Sequence, residues 1–465
     1  MAEASELPPD PFASFAGRAE VVQPDPARSR PLRVGVVLAA GPSEQLASRT
    51  GGGSTALLRL GGLSLVERTV RCLLAAGLQR VVVVVGQDAG PVATVVSRLG
   101  RGRVRVVYAD RWAEGRGASL AAVQSEVEGE ALFVLVTADH VFGEGGLEQL
   151  LAAGEPAVLI DPAPGTLAWA EGIRVRVVDE AVVAFGKHLD EPAIDCGAFL
   201  LPVEVFDRQR QAATEGDYTL AGAVTRLAQT RPLRAVALPS GCWWQDVDSP
   251  QGVLSARGAL RRSLGKDSDG PVSRWLNRPL STRLSMALAP LRPAPDLVSL
   301  VAFGLSLAGA LLLATGQGLA GGLLVHASSV ADGVDGEVAR LQFRSGRGAL
   351  LDGLLDRVGD TAILAGVGLW ALDGHSSTDV LVLTVSATTG ALLSMASKDR
   401  AAALGLPPAP ERGLGWLLGG RDGRLLLVAV GAVLGTPVAV LVAVSATSAL
   451  SLGRRVASLR RPPIA

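Results

Sequence analysis

The sequence has 465 residues, enough for two or three domains, and its 44 basic and 44 acidic side chains leave it without net charge. A nucleic-acid-binding protein would show a basic excess, so no nucleic acid is expected as a partner. Hydrophobic residues make up 48% of the chain and charged residues only 19%. This composition excludes a wholly disordered chain and directs attention to membrane-spanning segments.

Neither the cysteines nor the N-terminal segment indicates secretion. Cys72, Cys196 and Cys242 are far apart in the sequence, which indicates neither a disulfide framework nor a zinc ribbon and fits a reducing cytosol. Residues 1–30 are rich in Pro, Ala, Asp and Glu and contain no apolar run. They predict a disordered tail rather than a signal peptide.

Short β-branched runs alternate with helical patterns throughout residues 31–264. The predicted strands are residues 33–38, 81–85, 104–108, 132–136, 173–178 and 197–201, and the predicted helices are residues 64–76, 91–99 and 117–126, with two more between 203 and 229. This alternation predicts an α/β Rossmann-like domain with a mostly parallel sheet.

A linker at residues 265–296 separates this domain from the rest of the chain. It contains an amphipathic stretch at 272–288 that carries Arg274, Arg278 and Arg283. Two interpretations stay open: a helix that lies on a membrane surface, or an ordinary linker helix.

Residues 297–455 are predicted to form an all-α domain of six transmembrane helices. The predicted spans are residues 297–314, 318–340, 349–372, 378–397, 423–436 and 437–453. Long runs without charged residues argue against a soluble helical bundle. Basic residues fall in alternate connections and in the basic tail at 456–465, so both termini and the N-terminal domain are expected on the cytosolic side of the cell membrane.

Four aspartates in the second and third predicted spans are the most informative feature. Asp332 and Asp335 are three residues apart, and Asp352 and Asp356 are four apart, so each pair lies on one helix face. Charged side chains at membrane depth are costly and are functional candidates by default. Oxygen ligands in this number suit Mg²⁺ or Mn²⁺, in one or two sites.

Small and basic residues complete the pattern around these aspartates. Gly336, Ala339 and Gly348 would leave room for a nucleotide near the backbone, and Arg340 could hold a phosphate. The full pattern, D-x2-D-G-x2-A-R-x7-G-x3-D-x3-D, resembles the signature of the CDP-alcohol phosphotransferase family, and every fixed position is matched.

The resemblance implies a role for each aspartate. Asp332, Asp335 and Asp352 would bind metal and the CDP pyrophosphate. Asp356 would complete the metal site and act as general base on the acceptor hydroxyl, while CMP is released. No role is assigned to Asp360, one helical turn further along.

Three arginines after the fourth predicted span, Arg412, Arg421 and Arg424, face the cytosolic side in this topology. They fit two roles equally, binding of an acceptor phosphate or anchoring at the membrane surface. Arg421 is selected as the candidate phosphate ligand.

In the N-terminal domain, the first predicted strand ends in Ala39-Ala40-Gly41, a small turn whose backbone N–H groups can approach phosphates. This start resembles nucleotidyltransferases of the sugar-nucleotide pyrophosphorylase type. By that resemblance, Asp139 and Asp246 would jointly hold Mg²⁺ on the nucleotide phosphates.

The N-terminal domain departs from that family at two positions. Gln45 stands where an arginine is usual, and Thr55 stands in place of a lysine, so two cationic groups are missing. Arg49 could substitute for one, Arg116 could sit near the nucleotide, and Lys187 is the candidate ligand of a substrate phosphate. Impaired nucleotidyl transfer therefore stays open.

The combination of domains resembles a bifunctional family that joins an inositol-1-phosphate cytidylyltransferase to a di-myo-inositol-phosphate-phosphate synthase. The resemblance implies that CTP and inositol 1-phosphate give CDP-inositol, which then donates its inositol-phosphate group to a second inositol phosphate. It also implies a homodimer formed through the membrane helices. The alternative is a phospholipid synthase that uses CDP-diacylglycerol and has a non-catalytic nucleotide-binding N-terminal domain.

Overall fold

A computed structural model describes residues 32–42, 44–266, 269–344, 347–404 and 420–458. The chain divides into two compact units, one up to Leu260 and one from Arg261 onward. The predicted tail at 1–30, Arg412 and residues 459–465 of the predicted basic tail lie outside the described residues.

The first unit contains thirteen strands in its described residues. In chain order they are β1 Val34–Ala39, β2 Arg59–Leu60, β3 Leu63–Ser64, β4 Arg80–Val85, β5 Val104–Tyr108, β6 Leu132–Thr137, β7 His140–Phe142, β8 Ala157–Asp161, β9 Arg174–Val178, β10 Ala181–Gly186, β11 Ile194–Pro202, β12 Leu233–Ala237 and β13 Trp244–Asp246.

Its helices connect these strands. They are α1 Ala47–Thr50, α2 Leu65–Ala75, α3 Ala89–Val96, α4 Arg116–Ala121, α5 Gly146–Ala152, α6 Thr166–Glu171, α7 Val205–Thr214, α8 Leu220–Ala228 and α9 Pro250–Arg262. All six predicted strands and the predicted helices are confirmed to within a few residues, except that the predicted helix at 117–126 ends at Ala121 and is followed by a short 3₁₀ turn.

Nine strands form one sheet in the order β5-β4-β1-β6-β11-β8-β12-β10-β9. Strands β5, β4, β1 and β6 are parallel, as predicted, and β12 is parallel to β8. The prediction of a mostly parallel sheet is wrong for the rest, because β11 is antiparallel to β6 and β8, and β10 is antiparallel to β12 and β9.

A tight turn explains part of this difference. Asp179 and Glu180 join β9 to β10 with φ of 50° and 63°, the left-handed pair of angles found in two-residue hairpin turns. Such a turn leaves no room for a crossover helix, so the two strands must run antiparallel.

The central strands β1, β4 and β6 are buried on both faces of the sheet. Along β1, Val37 and Ala39 join one hydrophobic cluster with α2, α3 and α5, whereas Val34, Val36 and Leu38 join the other with α4, α7 and α8. Burial on both faces explains why these three strands are continuous hydrophobic runs, whereas the edge strand β9 alternates between buried and less buried residues.

The second unit is helical. Its α-helices in the described residues are α10 Arg278–Leu288, α11 Pro295–Ala314, α12 Gly318–Leu341, α13 Arg347–Ala371, α14 Ser377–Ala403, α15 Arg421–Val433 and α16 Pro437–Ser458. Helix α11 packs against both α12 and α13, and α12 also packs against α15.

Close backbone approach fixes these contacts. A Cβ at Gly366 of α13 would lie 2.3 Å from the Ala310 carbonyl oxygen of α11, and a Cβ at Gly321 of α12 would lie 2.7 Å from the Leu313 side chain. Small residues at helix crossings allow helices to pack closely. Such packing is typical of helices in a lipid bilayer, where the hydrophobic effect does not drive helices together.

Three of the described helices are long and apolar enough to cross a membrane: Pro295–Ala314, Ser377–Ala403 and Pro437–Ala457. Helices also occur at the other three predicted positions, α12, α13 and α15. The first two carry the aspartates, and the third has only 13 residues. The count of six spans stays a prediction.

The amphipathic stretch forms a short π-helical turn, Ser273–Asn277, followed by α10. Its polar side faces the unit: Arg278, Ser281 and Ser285 all donate hydrogen bonds to the buried carboxylate of Glu337. The exposed apolar side chains on the stretch and just after it are Trp275, Leu276, Leu280, Leu284 and Leu291. Both interpretations of this segment stay predictions.

Candidate active sites

Two neighbouring helices bring the signature aspartates together. Asp332 and Asp335 lie on α12 and Asp352 and Asp356 on α13, and both helices pack on α11. Carboxylate oxygens of Asp332, Asp352 and Asp356 all lie within 4.8 Å of one another. The prediction that two pairs would face one cavity rested on helix periodicity alone, and the structure places three of the four in one cluster.

Asp335 lies at the edge of the cluster and is oriented by its own partners. Ser299 of α11 donates a hydrogen bond to Oδ2 of Asp335, and the Gly336 amide donates to Oδ1. The carboxyl group also interacts with that of Asp352. Asp335 is 6% exposed, so these bonds hold a carboxylate that water scarcely reaches.

Arg421, the first residue of α15, lies inside the cluster. Its guanidinium is 2.7 Å from Asp332 Oδ2, 3.0 Å from Asp356 Oδ1 and 3.1 Å from Asp360 Oδ1. The candidate phosphate ligand is thus the counterion of three carboxylates in this structure. Its role toward a phosphate stays a prediction.

Asp360, for which the sequence predicts no role, belongs to the same group of acids. It is 5% exposed and accepts a hydrogen bond from Arg421. Its position four residues after Asp356 and eight after Asp352 puts all three on one face of α13, and that spacing was the available signal.

The small and basic residues of the signature share a face of α12 with Asp332. Gly336, Ala339 and Arg340 follow it by four, seven and eight residues, and all three are partly buried. Arg340 donates a hydrogen bond to the Leu264 carbonyl. A Cβ at Gly348 would lie 3.0 Å from Asp296 Oδ1, so this glycine permits a close contact between α13 and the start of α11.

The acidic cluster opens into a cavity of about 540 Å³. Asp352 and Asp356 lie on its wall together with the basic residues Lys266, Arg357, Lys398, Arg421, Arg424 and Arg455. Asp269, Asp399 and Asp422 also line the wall, so acids and cations are mixed there. A carboxylate cluster beside several cationic side chains suits a metal next to a phosphorylated ligand. The donor set fits a divalent cation, because hard carboxylate oxygens converge and one arginine does not balance four acids.

The second site lies in the N-terminal unit, where strand ends converge. Ala39, Ala40 and Gly41, at the end of β1, line a cavity of about 440 Å³ together with Asp139, just beyond β6. Asp246 reaches this region because β13 pairs with β7 in the register Asp246 opposite His140. The predicted pair Asp139 and Asp246 is therefore brought together across about a hundred residues of sequence.

His140 sits between the two aspartates. Its Nδ1 lies 2.9 Å from Asp139 Oδ1 and 2.8 Å from Thr137 Oγ1, and its Nε2 lies 4.0 Å from Asp246 Oδ2. The ring stacks on Trp244 with centroids 5.5 Å apart and an interplanar angle of 6°. No role for His140 is predicted from the sequence.

Burial and charge together tune these groups. Burial alone would lower the pKa of His140, but the carboxylates of Asp246 and Asp139 outweigh it and raise this pKa to about 9. Burial raises the pKa of Asp246 to about 7, and His140 offsets part of that effect. For Asp139, Arg116 and His140 overcome the burial and hold its pKa well below the usual range.

The N-terminal donor set also fits a divalent cation. Oxygen or nitrogen atoms of Asp139, His140 and Asp246 lie within 4.8 Å of one another. Oδ1 of Asp246 is buried and accepts no hydrogen bond from the described residues. A buried carboxylate oxygen without a donor is costly, and a bound cation would satisfy it.

The other predicted residues of this domain divide into two groups. Thr55 lines the cavity and is buried, and Arg116 lines it and pairs with Asp139. Gln45, Arg49 and Lys187 are exposed and are not among the described residues that line the cavity. The structure therefore does not bring Lys187 to the site, and its contact with a substrate phosphate stays a prediction.

Comparisons with known proteins match a different family to each of the two parts of the chain. A MobA-like NTP transferase domain matches residues 35–236, and a CDP-alcohol phosphatidyltransferase matches residues 292–451. A bifunctional IPC transferase and DIPP synthase from Rubrobacter xylanophilus is 37% identical over 432 residues, which cover 91% of this chain and 96% of that protein.

Two further similarities are weaker. The protein of the same name from Thermococcus kodakarensis is 33% identical over 335 residues, 71% of this chain and 74% of that protein. The solved structure of the inositol-1-phosphate CTP transferase from T. maritima is 21% identical, with a TM-score of 0.45, and the match covers 50% of this chain and 97% of that one.

The matched domains define a transferase in which a nucleotidyltransferase-like domain precedes a CDP-alcohol phosphotransferase domain. The second domain and the three apolar helices indicate a membrane protein. Because the similarity to the Rubrobacter protein extends over nearly the whole of both chains, the chain belongs to the family of bifunctional IPC transferases and DIPP synthases. The family predicted from the sequence is confirmed.

Proposed function

We propose that the protein forms CDP-inositol from CTP and inositol 1-phosphate and then transfers the inositol-phosphate group to a second inositol phosphate. The observation that carries this proposal is the cluster of Asp332, Asp352 and Asp356, two of which, Asp352 and Asp356, line a cavity together with six cationic side chains. Two relatives described as bifunctional IPC transferase and DIPP synthase support the two activities.

In the second reaction, an acceptor hydroxyl oxygen attacks the phosphorus that carries the inositol of CDP-inositol. The bond from this phosphorus to the bridging oxygen breaks, and CMP leaves with that oxygen. Asp356 accepts the hydroxyl proton as general base. The product is a phosphodiester between two inositols that keeps the acceptor's phosphate.

The basic wall of the cavity supports an acceptor that carries a phosphate. Lys398 is exposed and makes no ion pair with the described residues, so its charge is available. Arg455 lies nearby, held by hydrogen bonds to the Ser394 carbonyl and to Ser397 Oγ. Arg421, between this wall and the acids, would bind the acceptor phosphate when it leaves its carboxylate partners.

In the first reaction, a phosphate oxygen of inositol 1-phosphate attacks the α-phosphorus of CTP. The bond to the oxygen that bridges to the β-phosphorus breaks, and pyrophosphate leaves. The turn at Ala39, Ala40 and Gly41 would contact the triphosphate through backbone N–H groups. We also propose Lys187 as a ligand of the inositol phosphate. This role requires Lys187 to move toward the cavity, which it does not line in this structure.

Mg²⁺ or Mn²⁺ is proposed at both sites. Asp332, Asp335, Asp352 and Asp356 would hold it in the helical unit, and Asp139 and Asp246 in the N-terminal unit. Bound there, a divalent cation neutralises charge on the transferred and leaving phosphates. Gly336, Ala339, Arg340 and Gly348 would line the path of the CDP group.

The distribution of basic residues bears on where the protein is located. We propose that the helical unit lies in the cell membrane with the N-terminal unit and both sites on the cytosolic side, since the basic connections favour that side. A homodimer through the membrane helices is proposed from the family resemblance.

The test is ³¹P NMR of the full-length protein in detergent with Mg²⁺, CTP and inositol 1-phosphate. We expect a phosphodiester signal together with pyrophosphate and CMP. A second sample with CDP-inositol in place of CTP separates the two reactions. Product in the second sample alone would disprove an active first domain, and a lipid-extractable product formed only from CDP-diacylglycerol would overturn the proposal for the second.

A further inference from the structure

The N-terminal cavity has an unusual charge balance. Among the described residues that line it, the charged ones are Glu44, Asp139, Asp248 and one cation, Arg116. A nucleoside triphosphate and the departing pyrophosphate carry several negative charges that the site must balance. Thr55, also on the wall, is uncharged. Arg116 is therefore the one cationic side chain among the described residues that line this cavity.

The backbone around Arg116 is held in one place. Gly115 has φ of 148°, and a Cβ on it would lie 2.5 Å from the Tyr218 carbonyl oxygen; a Cβ on Gly117 would lie 2.7 Å from the same atom. The Gly117 amide also donates a hydrogen bond of 2.7 Å to that oxygen. Because the turn is fixed on both sides of Arg116, only its side chain is free to change partner.

The present partner of Arg116 is a proposed metal ligand. Arg116 Nη2 pairs with Asp139 Oδ2, while His140 contacts the other oxygen of that carboxylate. The Arg116 side chain is 50% exposed, so water screens the pair and a stronger anion can displace Asp139. In this state Oδ2 of Asp139 faces the guanidinium of Arg116, so a cation that binds this oxygen must compete with a positive charge.

A second observation points to a ligand at the same wall. Thr55 is 4% exposed, and its Oγ1 is buried without a hydrogen-bond partner among the described residues. Buried hydroxyls are normally hydrogen-bonded, so this one indicates an acceptor or donor that the bound state supplies. A phosphate oxygen in the cavity would accept a hydrogen bond from this hydroxyl.

We propose that Arg116 is the triphosphate-binding residue of this chain and that it exchanges Asp139 for the nucleotide's phosphates, which frees Asp139 to bind a divalent cation. The inference rests on the proposed nucleotide-dependent first reaction. It makes nucleotide and metal binding cooperative: without nucleotide, Arg116 competes with the cation for Asp139, and with nucleotide it no longer does.

The experiment measures binding rather than turnover. The parent is the full-length protein in detergent with Asp352→Asn and Asp356→Asn, so that the metal signal comes mainly from the N-terminal unit. Free Mn²⁺ is followed by electron paramagnetic resonance with and without a CTP analogue whose α,β-bridging oxygen is replaced by CH₂. Arg116→Gln is compared with Arg116→Lys and with Arg111→Gln, which removes an exposed arginine paired with Glu114 outside the cavity wall.

Three results are expected. Arg116→Gln weakens binding of the CTP analogue by about tenfold or more, as loss of a charge-assisted contact does. The same change tightens Mn²⁺ binding severalfold when nucleotide is absent and removes most of the nucleotide's effect on Mn²⁺. Arg116→Lys falls between parent and Arg116→Gln, and Arg111→Gln matches the parent.

Failure of this inference can be told from failure of the proposed function. If the parent binds the analogue and Arg116→Gln binds it equally well, the role of Arg116 is wrong while nucleotide binding stands. Unchanged or weaker Mn²⁺ binding in Arg116→Gln would overturn the exchange with Asp139. If the parent binds no analogue at any Mn²⁺ concentration, the proposed first reaction and the role of Arg116 both fall.

Discussion

The two acidic sites of this protein are built in different ways. In the helical unit, four aspartates come from two helices within 25 residues of sequence, and a single arginine from a third helix pairs with two of them and with Asp360. In the N-terminal unit, Asp139 and Asp246 are 107 residues apart, and a histidine lies between them. The first site depends on helix periodicity, and the second depends on the pairing of two short strands.

Because the two sites are built differently, we expect them to respond differently to mutation. The helical site has several carboxylates that can share a cation, but its acids need Arg421 when no metal is bound. The N-terminal site has fewer acids, and its geometry depends on His140, which is wedged between Thr137, Asp139 and the Trp244 ring. We expect mutations to separate the sites accordingly.

The largest effect is expected for Asp356→Asn. Loss of the proposed general base and of one metal ligand should lower transfer from CDP-inositol by about 10²–10⁴-fold. Pyrophosphate release from CTP and inositol 1-phosphate should continue, because the change lies in the other unit. The measurement is CMP release from ready-made CDP-inositol, with Asp379→Asn, an exposed acid at the start of α14, as the matched control. Transfer at the parental rate would remove Asp356 from the mechanism.

Arg421→Gln should next weaken the helical unit in a metal-dependent way. Removing the counterion leaves Asp332, Asp356 and Asp360 close together and unbalanced, at a cost of about 3 kcal/mol in the free energy of unfolding. Mg²⁺ binds the same acids in the folded state only, so it should recover part of that loss. Thermal unfolding in EDTA and in Mg²⁺ measures both.

Arg357→Gln is the matched control for this change. Arg357 pairs with Asp399, whose side chain is 63% exposed, so its loss should cost about 0–1 kcal/mol in either buffer. An equal loss of stability for the two variants, or a loss for Arg421→Gln that Mg²⁺ leaves untouched, would contradict the role of Arg421 as counterion of a metal site.

How far each site could be predicted follows from the same contrast. The spacing of four aspartates within two helices predicted that they lie close together, because helix geometry is regular over that distance. Three of them, Asp332, Asp352 and Asp356, do form one cluster. The same helix geometry places Asp360 on the face that carries Asp352 and Asp356, although no role was predicted for it. In contrast, the position of Arg421 among the acids depends on how α15 packs against α12, and no local pattern encodes that contact.

The N-terminal unit shows a similar limit. The strands were predictable from their hydrophobic runs. The end of β1 lines a cavity together with Asp139, and its contact with a nucleotide stays a prediction. Strand direction was not, because β11 runs antiparallel between β6 and β8 through long-range pairing. The pairing of Arg116 with Asp139 and the exposure of Lys187 also depend on tertiary structure, since turns and strand ends carry no periodic pattern.

Gly197→Ala should affect the N-terminal site alone. Gly197 has φ of 69°, and a Cβ there would lie 2.6 Å from Thr137 Oγ1 and 2.8 Å from the His140 ring. The clash and the left-handed backbone should cost about 1–3 kcal/mol and displace His140. Pyrophosphate release should fall while transfer from CDP-inositol stays unchanged.

Gly216→Ala separates the clash from the backbone strain. Gly216 has φ of 82°, but a Cβ there would meet nothing within 4 Å. We expect a similar backbone cost in the free energy of unfolding and no specific loss of pyrophosphate release. If Gly216→Ala reduced this release as much as Gly197→Ala, the position of His140 would not matter for the first reaction.

The smallest effects are expected from Ser299→Ala and Thr137→Val, which remove one orienting hydroxyl from each site. Ser299 donates directly to Asp335, a proposed metal ligand, whereas Thr137 contacts His140, which in turn contacts Asp139. Loss of the direct donor should raise the Mg²⁺ concentration for half-maximal transfer by about tenfold. Loss of Thr137 Oγ1 acts through one more residue, so it should raise the Mg²⁺ requirement of pyrophosphate release only a fewfold.

Ser306→Ala is the control for the direct donor, because Ser306 is also a buried serine of α11 and donates only within its own helix, to the Ala302 carbonyl. A shift for Ser299→Ala but not for Ser306→Ala would assign the effect to the bond with Asp335 rather than to helix packing. A parental Mg²⁺ requirement in Ser299→Ala would show that Asp335 needs no orienting donor. The helical site would then tolerate the loss of an orienting hydroxyl better than the N-terminal site. That result would reverse the expected order, in which loss of the Ser299 hydroxyl has a larger effect than loss of the Thr137 hydroxyl.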